Sequence, residues 1–227
     1  AIFVHMSPMF AVLAGPWAWL WRKPVYLWYL HRSNTWKLRL AEKFATKIFT
    51  ASARSLTLRS QKIVEVGHGI SIERFKTRRT LVNPTMKILS VGRISPIKDY
   101  ETILKTGLSV MIVGRPVMPG DDVYFETLKK FQNATFVGFV PYRDMPRYYA
   151  NADIVVNCSP TGGLDKAVLE AMASGCLVLV ANEAFGLPAN LVFKHGDADD
   201  LSHKIHVLMS MSVEEKITMS GILVEVV

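Results

Sequence analysis

Several residues in this chain have the types and spacing for phosphate and hydroxyl chemistry, and they are densest in one run. It reads Asn157-Cys158-Ser159-Pro160-Thr161-Gly162-Gly163-Leu164-Asp165-Lys166-Ala167-Val168-Leu169-Glu170-Ala171-Met172-Ala173-Ser174-Gly175. The preceding Ala152-Asp153-Ile154-Val155-Val156 reads as a buried strand. Gly162-Gly163 lets the backbone turn tightly into a helix carrying Leu164, Val168, Leu169 and Met172. The unpaired N–H groups of that helix start, free of side chains over the glycines, make an anion site. Lys166 adds a mobile charge one turn in, and Glu170 lies one turn further. A phosphate joined to a hydroxyl-rich group fits this arrangement, although an ordinary strand-to-helix turn without a ligand has the same pattern.

Other reactive residues fall immediately after apolar runs. Arg93 follows Ile88 to Gly92, and with Lys98 it flanks Ile94-Ser95-Pro96-Ile97, a loop stiffened by proline, so both cations could reach one phosphate chain. His5 follows Ile2-Phe3-Val4, and His31 follows Val25 to Leu30. A histidine at a strand end is a hydrogen-bonded structural group or a catalyst, and two in one half of the chain keep the second reading open. Gly67-His68-Gly69 begins like a dinucleotide fingerprint, but Ile72 stands where its third glycine belongs, which excludes a dehydrogenase turn. His195, His203 and His206 share a segment without cysteine, and a solvated helix face explains the last two better than a metal. Trp17, Trp19 and Trp21 beside Arg22-Lys23 could meet a membrane interface, but their alternation suits a helix poorly and a partly buried edge equally well.

These residues must be positioned by regular elements. Strands are expected over Ile2 to His5, Val25 to His31, Lys47 to Thr50, Ile63 to Gly67, Ile88 to Gly92, Leu108 to Gly114, Ala134 to Gly138, Asp153 to Asn157 and Leu177 to Val180. Helical patterns lie between most of them, as over Thr35 to Phe44 and Asp122 to Phe131. That alternation predicts an α/β protein with parallel sheets covered by helices on both faces. The pattern lapses between Gly69 and Met86, so we expect a domain at residues 1–75, a hinge at 76–85 and a second domain at 86–227. Ligands of open α/β sheets gather at the carboxyl ends of strands, which makes a cleft between two such sheets the natural site.

Half of the 227 residues are apolar, which excludes a disordered chain. No run of eighteen apolar residues occurs; Gly15-Pro16 and then Arg22-Lys23 interrupt the longest, so no membrane span is expected. Ala1-Ile2-Phe3-Val4 lacks a basic signal-peptide start and an initiating methionine, so we read a chain that begins mid-gene. Cys158 and Cys176 lie in apolar stretches and read as buried free thiols, which suits a cytoplasmic protein. Residues 1–80 hold 14 Lys and Arg against 3 Asp and Glu, whereas residues 81–227 hold 13 against 16. The basic half could draw anionic lipid or a phosphorylated substrate, so the expected location extends to the inner face of the membrane. No zinc-finger, RNP-like or basic heptad pattern accompanies the charge, so no nucleic-acid partner is expected.

Val91-Gly92-Arg93-Ile94-Ser95-Pro96-Ile97-Lys98-Asp99, Phe136-Val137-Gly138-Phe139-Val140-Pro141 and Leu169-Glu170-Ala171-Met172-Ala173-Ser174-Gly175 together resemble the donor-binding domain of family 4 retaining glycosyltransferases of the GT-B group. Val66-Gly67-His68-Gly69-Ile70-Ser71 through Phe75 resembles that family's hinge. The resemblance implies two Rossmann-like domains, the first incomplete. It implies transfer of a sugar from a nucleotide-diphosphate-sugar to an acceptor glycan or lipid-linked sugar, with retained anomeric configuration and with no cofactor or metal. By resemblance, Arg93 and Lys98 neutralise the leaving diphosphate and His5 lines the sugar pocket, which makes these three the catalytic candidates. Gly162, Gly163, Asp165, Lys166 and Glu170 form the donor grip, with Glu170 taking the ribose hydroxyls and Phe139-Val140 lying against the base. Leu30-His31-Arg32 resembles the next strand end, placing His31 on the acceptor side.

The chain departs from that pattern in two places. The family pairs two glutamates eight positions apart, and the first position here is Gly162, so the carboxylate that grips the sugar is absent and Asp165 or Lys166 is left to compensate. The family's first strands and closing helices would also lie outside the chain, so it reads as a fragment with poor or no activity by itself. A non-catalytic nucleotide or glycan-phosphate binding module is the alternative.

Overall fold

The computed structural model describes residues 1–31, 33–77, 86–160 and 162–226. Most of the hinge expected over 76–85 thus lies outside the described residues, as does Arg32. The chain divides into two compact units, Ala1–Gly69 with Thr161–Leu164, and Ile70–Pro160 with Asp165–Val227.

The first unit holds β1 (Ile2–His5), α1 (Pro8–Leu20), β2 (Val25–Trp28), α2 (Trp36–Phe44), β3 (Lys47–Thr50) and β4 (Ile63–Glu65). Its strands are parallel and lie in the order β1-β2-β3-β4. Register places Val4 beside Leu27 and Leu27 beside Ile48, so three buried aliphatic side chains line up across the sheet. Thr35 caps α2 by accepting a hydrogen bond from the Leu38 N–H at 3.2 Å, and the helix turns Leu38 and Ala41 inward. Pro8 starts α1, where its missing N–H costs nothing, and only Ala11, Gly15 and Ala18 are buried on that helix. A Cβ on Gly15 would lie 2.2 Å from Cγ of Phe44, so α1 and α2 approach at a point only glycine allows.

The tryptophans correct one expectation. Trp17 and Trp19 lie on α1 and Trp21 caps it; all are exposed, with Trp19 at 80%, so a partly buried edge is ruled out. The helix runs through Gly15-Pro16 rather than stopping there, because its small inner face packs closely enough to offset an interior proline. Among the described residues no helix is long and apolar enough to cross a membrane.

In the second unit, α3 (Ile72–Phe75) precedes β5 (Ile88–Val91), α4 (Tyr100–Lys105), β6 (Val110–Val113), α5 (Asp121–Leu128), β7 (Ala134–Gly138) and α6 (Met145–Ala150). Next come β8 (Ile154–Asn157), α7 (Lys166–Ala173), β9 (Leu177–Val180), α8 (Ala198–Ser210) and α9 (Val213–Glu225). All five strands are parallel, in the order β7-β6-β5-β8-β9. β8 and β9 are buried at every residue, which explains why they read as unbroken apolar runs. α7 turns Val168, Leu169 and Met172 into this core, and burial of each such side chain contributes about 1.5–3 kcal/mol. Phe75 belongs to the same core, with its ring 5.6 Å from Tyr142 and 5.7 Å from Tyr149. The stretch expected to close the first domain at residue 75 therefore packs, from Ile70 on, with the second unit.

Candidate functional site

The order of strand addition in the second sheet reverses between β5 and β8: the chain adds β6 and β7 on one side of β5, then crosses over to build β8 and β9 on the other. Loops leaving the carboxyl ends of β5 and β8 therefore part in opposite directions, and the gap between them is where open α/β sheets take ligands. Arg93 and Lys98 sit on the loop after β5, while Asp165 and Lys166 open α7 after β8. Phe139 and Val140 follow β7 at the same edge.

The β5 and β6 ends come very close. A Cβ on Gly114 would lie 1.8 Å from the Gly92 carbonyl oxygen, so glycine at position 114 is a condition of the loop geometry. Ile94 N–H then donates to the Arg115 carbonyl at 3.0 Å, fixing the start of the Arg93 loop. Pro96–Lys98 forms a 3₁₀ turn, and Lys98 points its ammonium at Asp165. Arg93 turns toward Asp121, with Nε 3.7 Å from the carboxylate. Asp121 is buried and also accepts hydrogen bonds from Val117 N–H at 3.2 Å and Met118 N–H at 2.9 Å. The two cations proposed for one phosphate chain thus each face a carboxylate of the protein.

Asp165 is the N-cap of α7. Its carboxylate accepts from Asn157 Nδ2 at 2.9 Å and from Ala167 N–H at 3.4 Å, besides pairing with Lys98. Lys166 is exposed and forms no ion pair among the described residues. Gly162 and Gly163 form the bend ahead of this cap. The backbone at Gly163 is outside the left-handed region, and a Cβ there would meet nothing closer than ordinary van der Waals contact. The fold itself does not demand glycine at 163.

Glu170 is buried, and its Oε2 accepts a hydrogen bond from the Tyr149 hydroxyl at 2.9 Å. Burial raises its carboxyl above the ordinary range, and hydrogen bonds from Tyr149 and Tyr142 partly offset that. Burial and the neighbouring Glu170 likewise push the Tyr149 phenol up, so it stays a donor. These two tyrosines were not anticipated; nothing in the spacing of Tyr142 or Tyr149 points to Glu170. Phe139 is exposed, with the Arg115 guanidinium 4.9 Å above its ring, a second feature of this edge that sequence spacing does not reveal.

The histidines separate. His5 ends β1 and is exposed, and His31 lies three residues beyond β2 with its ring edge-on to Tyr29 at 5.6 Å. Because β1 and β2 are parallel neighbours, both occupy the carboxyl end of the first sheet. His195 pairs with Asp99 at 3.2 Å, and Asp99 also accepts from Thr102 Oγ1 at 2.6 Å. His203 and His206 lie on α8. No group of three His, Cys, Asp or Glu side chains among the described residues is placed to hold a metal ion. Both cysteines are free and buried, and burial pushes the Cys158 thiol up, which removes it as a nucleophile. A cavity of about 670 Å3 lined by Met86, Ile88, Val110, Arg147 and Tyr148 opens at the amino ends of the strands, and none of the candidate residues reaches it.

Comparison with known proteins bears on this arrangement. The chain is 32% identical over 135 residues to the sulfoquinovosyl transferase SQD2 of Arabidopsis thaliana, which is 54% of this chain and 26% of that protein. It thus spans about a quarter of that curated relative. Sucrose-phosphate synthase from Thermosynechococcus elongatus superposes with a TM-score of 0.76 over 99% of this chain and 68% of that one, at 15% identity. A mutant of S. aureus TarM, solved in complex with Fondaparinux, alpha-GlcNAc-glycerol and UDP, superposes with a TM-score of 0.67 over 93% of this chain and 50% of that one, at 13% identity. At such identities the structural likeness speaks for the GT-B fold alone. The family model described as glycosyl transferases group 1 matches residues 86–211, more than half of the chain and the whole of the switch-point edge, and the chain belongs to that family.

Proposed function

We propose that this chain forms part of a glycosyltransferase that moves a hexosyl group from a nucleotide-diphosphate-sugar to an acceptor with retention of anomeric configuration. The observation that carries the reading is the placement of Arg93 and Lys98 on one side of the switch point and the α7 N-terminus with Lys166 on the other. A departing diphosphate gains charge as the glycosidic bond breaks, and fixed cations with helix N–H groups stabilise that change without reorganising. On this reading no metal is needed, since those groups take its role. Gly163 supports the reading, because the protein leaves room for a Cβ there and a ligand approaching the backbone gives a reason for its absence. Glu170, held by Tyr149, presents a carboxyl to the ribose, and the Phe139-Val140 backbone flanks the base.

His5 lines the sugar pocket and His31 the acceptor side, both at the carboxyl end of the first sheet. A lipid-linked acceptor at the inner membrane face suits the exposed Phe10, Leu13 and Trp17 of α1, its C-cap Trp21 and the adjacent Arg22 and Lys23. A second reading, a non-catalytic nucleotide or glycan-phosphate module, draws on Gly162, which stands where the resemblance expects a glutamate.

The deciding experiment offers labelled nucleotide-sugars to the whole protein, screens acceptors and reads product configuration by NMR. Transfer with a retained anomer supports the enzyme. Binding of nucleotide-sugar without transfer to any acceptor favours the module, and an inverted product rejects the retaining mechanism.

A further inference from the structure

Asp165 puts a negative charge where the proposed donor site needs positive ones. Its carboxylate pairs with Lys98 and accepts from Asn157 Nδ2 at 2.9 Å. Asn157 is buried and accepts in turn from Ser159 N–H at 3.2 Å, and Ser159 Oγ donates to the Ile97 carbonyl at 3.2 Å. One chain of polar contacts therefore ties the β8 end, the α7 cap and the β5 loop together, with an anion at its centre. Lys98 and Asp165 are each only about a fifth exposed, with side-chain values of 21% and 22%, so water screens the pair incompletely. Asp121 also faces Arg93 at 3.7 Å, although the Arg93 side chain is 42% exposed and better screened. Lys166 remains as the cation of the group with no ion pair among the described residues.

A free nucleoside diphosphate and its sugar ester differ in charge at this position. The terminal phosphate of the free diphosphate takes on a second negative charge near neutral pH, and esterification by the sugar prevents that. A fixed carboxylate beside the phosphate subsite repels the more highly charged ligand more strongly, since Coulomb repulsion scales with the ligand's charge. Resting on the donor reading above, we infer that Asp165 is a specificity-determining residue of the phosphate subsite. Its charge biases the subsite toward the intact donor and against the free diphosphate product, which speeds product release.

The test separates charge from capping, because Asn caps a helix as well as Asp does. Titration calorimetry of the whole protein and of Asp165→Asn, with UDP and UDP-glucose as the probe pair, measures both affinities; ADP and GDP with their glucose esters are the further pairs. The expected result is that Asp165→Asn tightens the free diphosphate on the order of tenfold and the sugar ester by roughly threefold or less. Asp165→Ser, another good cap, repeats the measurement in case the Asn amide oxygen still holds Lys98. Equal changes for the two ligands, or weaker binding of the free diphosphate with an unchanged melting temperature, overturn the inference and leave the donor reading standing. Failure of the unaltered protein to bind any pair overturns the donor reading and this inference with it.

Discussion

The two sheets are made of the same material and differ in the order of their strands. In the first unit, β1 to β4 follow one another across the sheet, so each loop leaves beside the next strand and the described strands contain no switch point. The second unit places its first strand in the middle, and the loops after β5 and β8 diverge around a gap. Charge follows the topology. The first unit presents exposed histidines at strand ends, whereas the second pairs two of its phosphate-seeking cations with carboxylates, Arg93 with Asp121 and Lys98 with Asp165. Strand order therefore decides where ligand chemistry can concentrate, and paired charge decides how strongly an anion is held there.

The second sheet is most sensitive where the carboxyl ends of β5 and β6 meet, at Gly92 and Gly114. Gly114→Ala forces a Cβ onto the Gly92 carbonyl and should destabilise the second unit by about 3 kcal/mol or more, as an earlier urea midpoint would show. A midpoint equal to that of the unaltered protein would mean that the two loops do not meet so closely. Next in size, Lys98→Ala should weaken UDP binding by roughly 1–3 kcal/mol, the value of a charge-assisted hydrogen bond. Calorimetry returning the original affinity would remove Lys98 from the donor site.

Glu170 provides a pH test. Its raised carboxyl stabilises the fold fully below the ordinary glutamate range, and that contribution is lost as pH rises through its folded value, because the native state then must ionise a buried group. Glu170→Gln stays neutral, so it should match the unaltered protein in acid and exceed it in stability toward neutral pH. Parallel stability curves across that range would contradict the assigned burial. Smaller still is the expected effect of Gly163→Ala on folding, within about 0.5 kcal/mol, since the position has room for a Cβ. The same variant should nonetheless weaken UDP, and an unaltered affinity would argue against a phosphate over that backbone. His5→Ala and His31→Ala should leave UDP affinity unchanged, since both lie on the other sheet. A loss of UDP binding in either would show that the first unit helps to hold the nucleotide.

All nine expected strands are present, with ends shifted by up to a few residues where the ladder stops before the apolar run does. They were legible because buried parallel strands are short apolar runs that need no partner to be recognised. The helix through Gly15-Pro16 was not, because local rules penalise an interior proline while the compensation comes from packing against Phe44, far along the chain. The candidate site divides in the same way. Arg93, Lys98, Lys166 and Glu170 stood out by residue type and position after strands. Asp121 and Tyr149 did not, and although Asp165 was itself a candidate its pairing with Lys98 and Asn157 was not legible, since nothing in local spacing tells a solvated carboxylate or an ordinary core tyrosine from one that meets a charge.

The α/β class, the parallel strands and the residues able to meet phosphate are written in short windows of the chain, because they depend on periodicity and side-chain chemistry. That β8 crosses over to lie beside β5, that Phe75 joins the second core, and that Asp165 rather than solvent faces Lys98 emerge in the folded chain. Those outcomes depend on which distant segments are brought within a few ångströms, and short-range pattern carries no record of that.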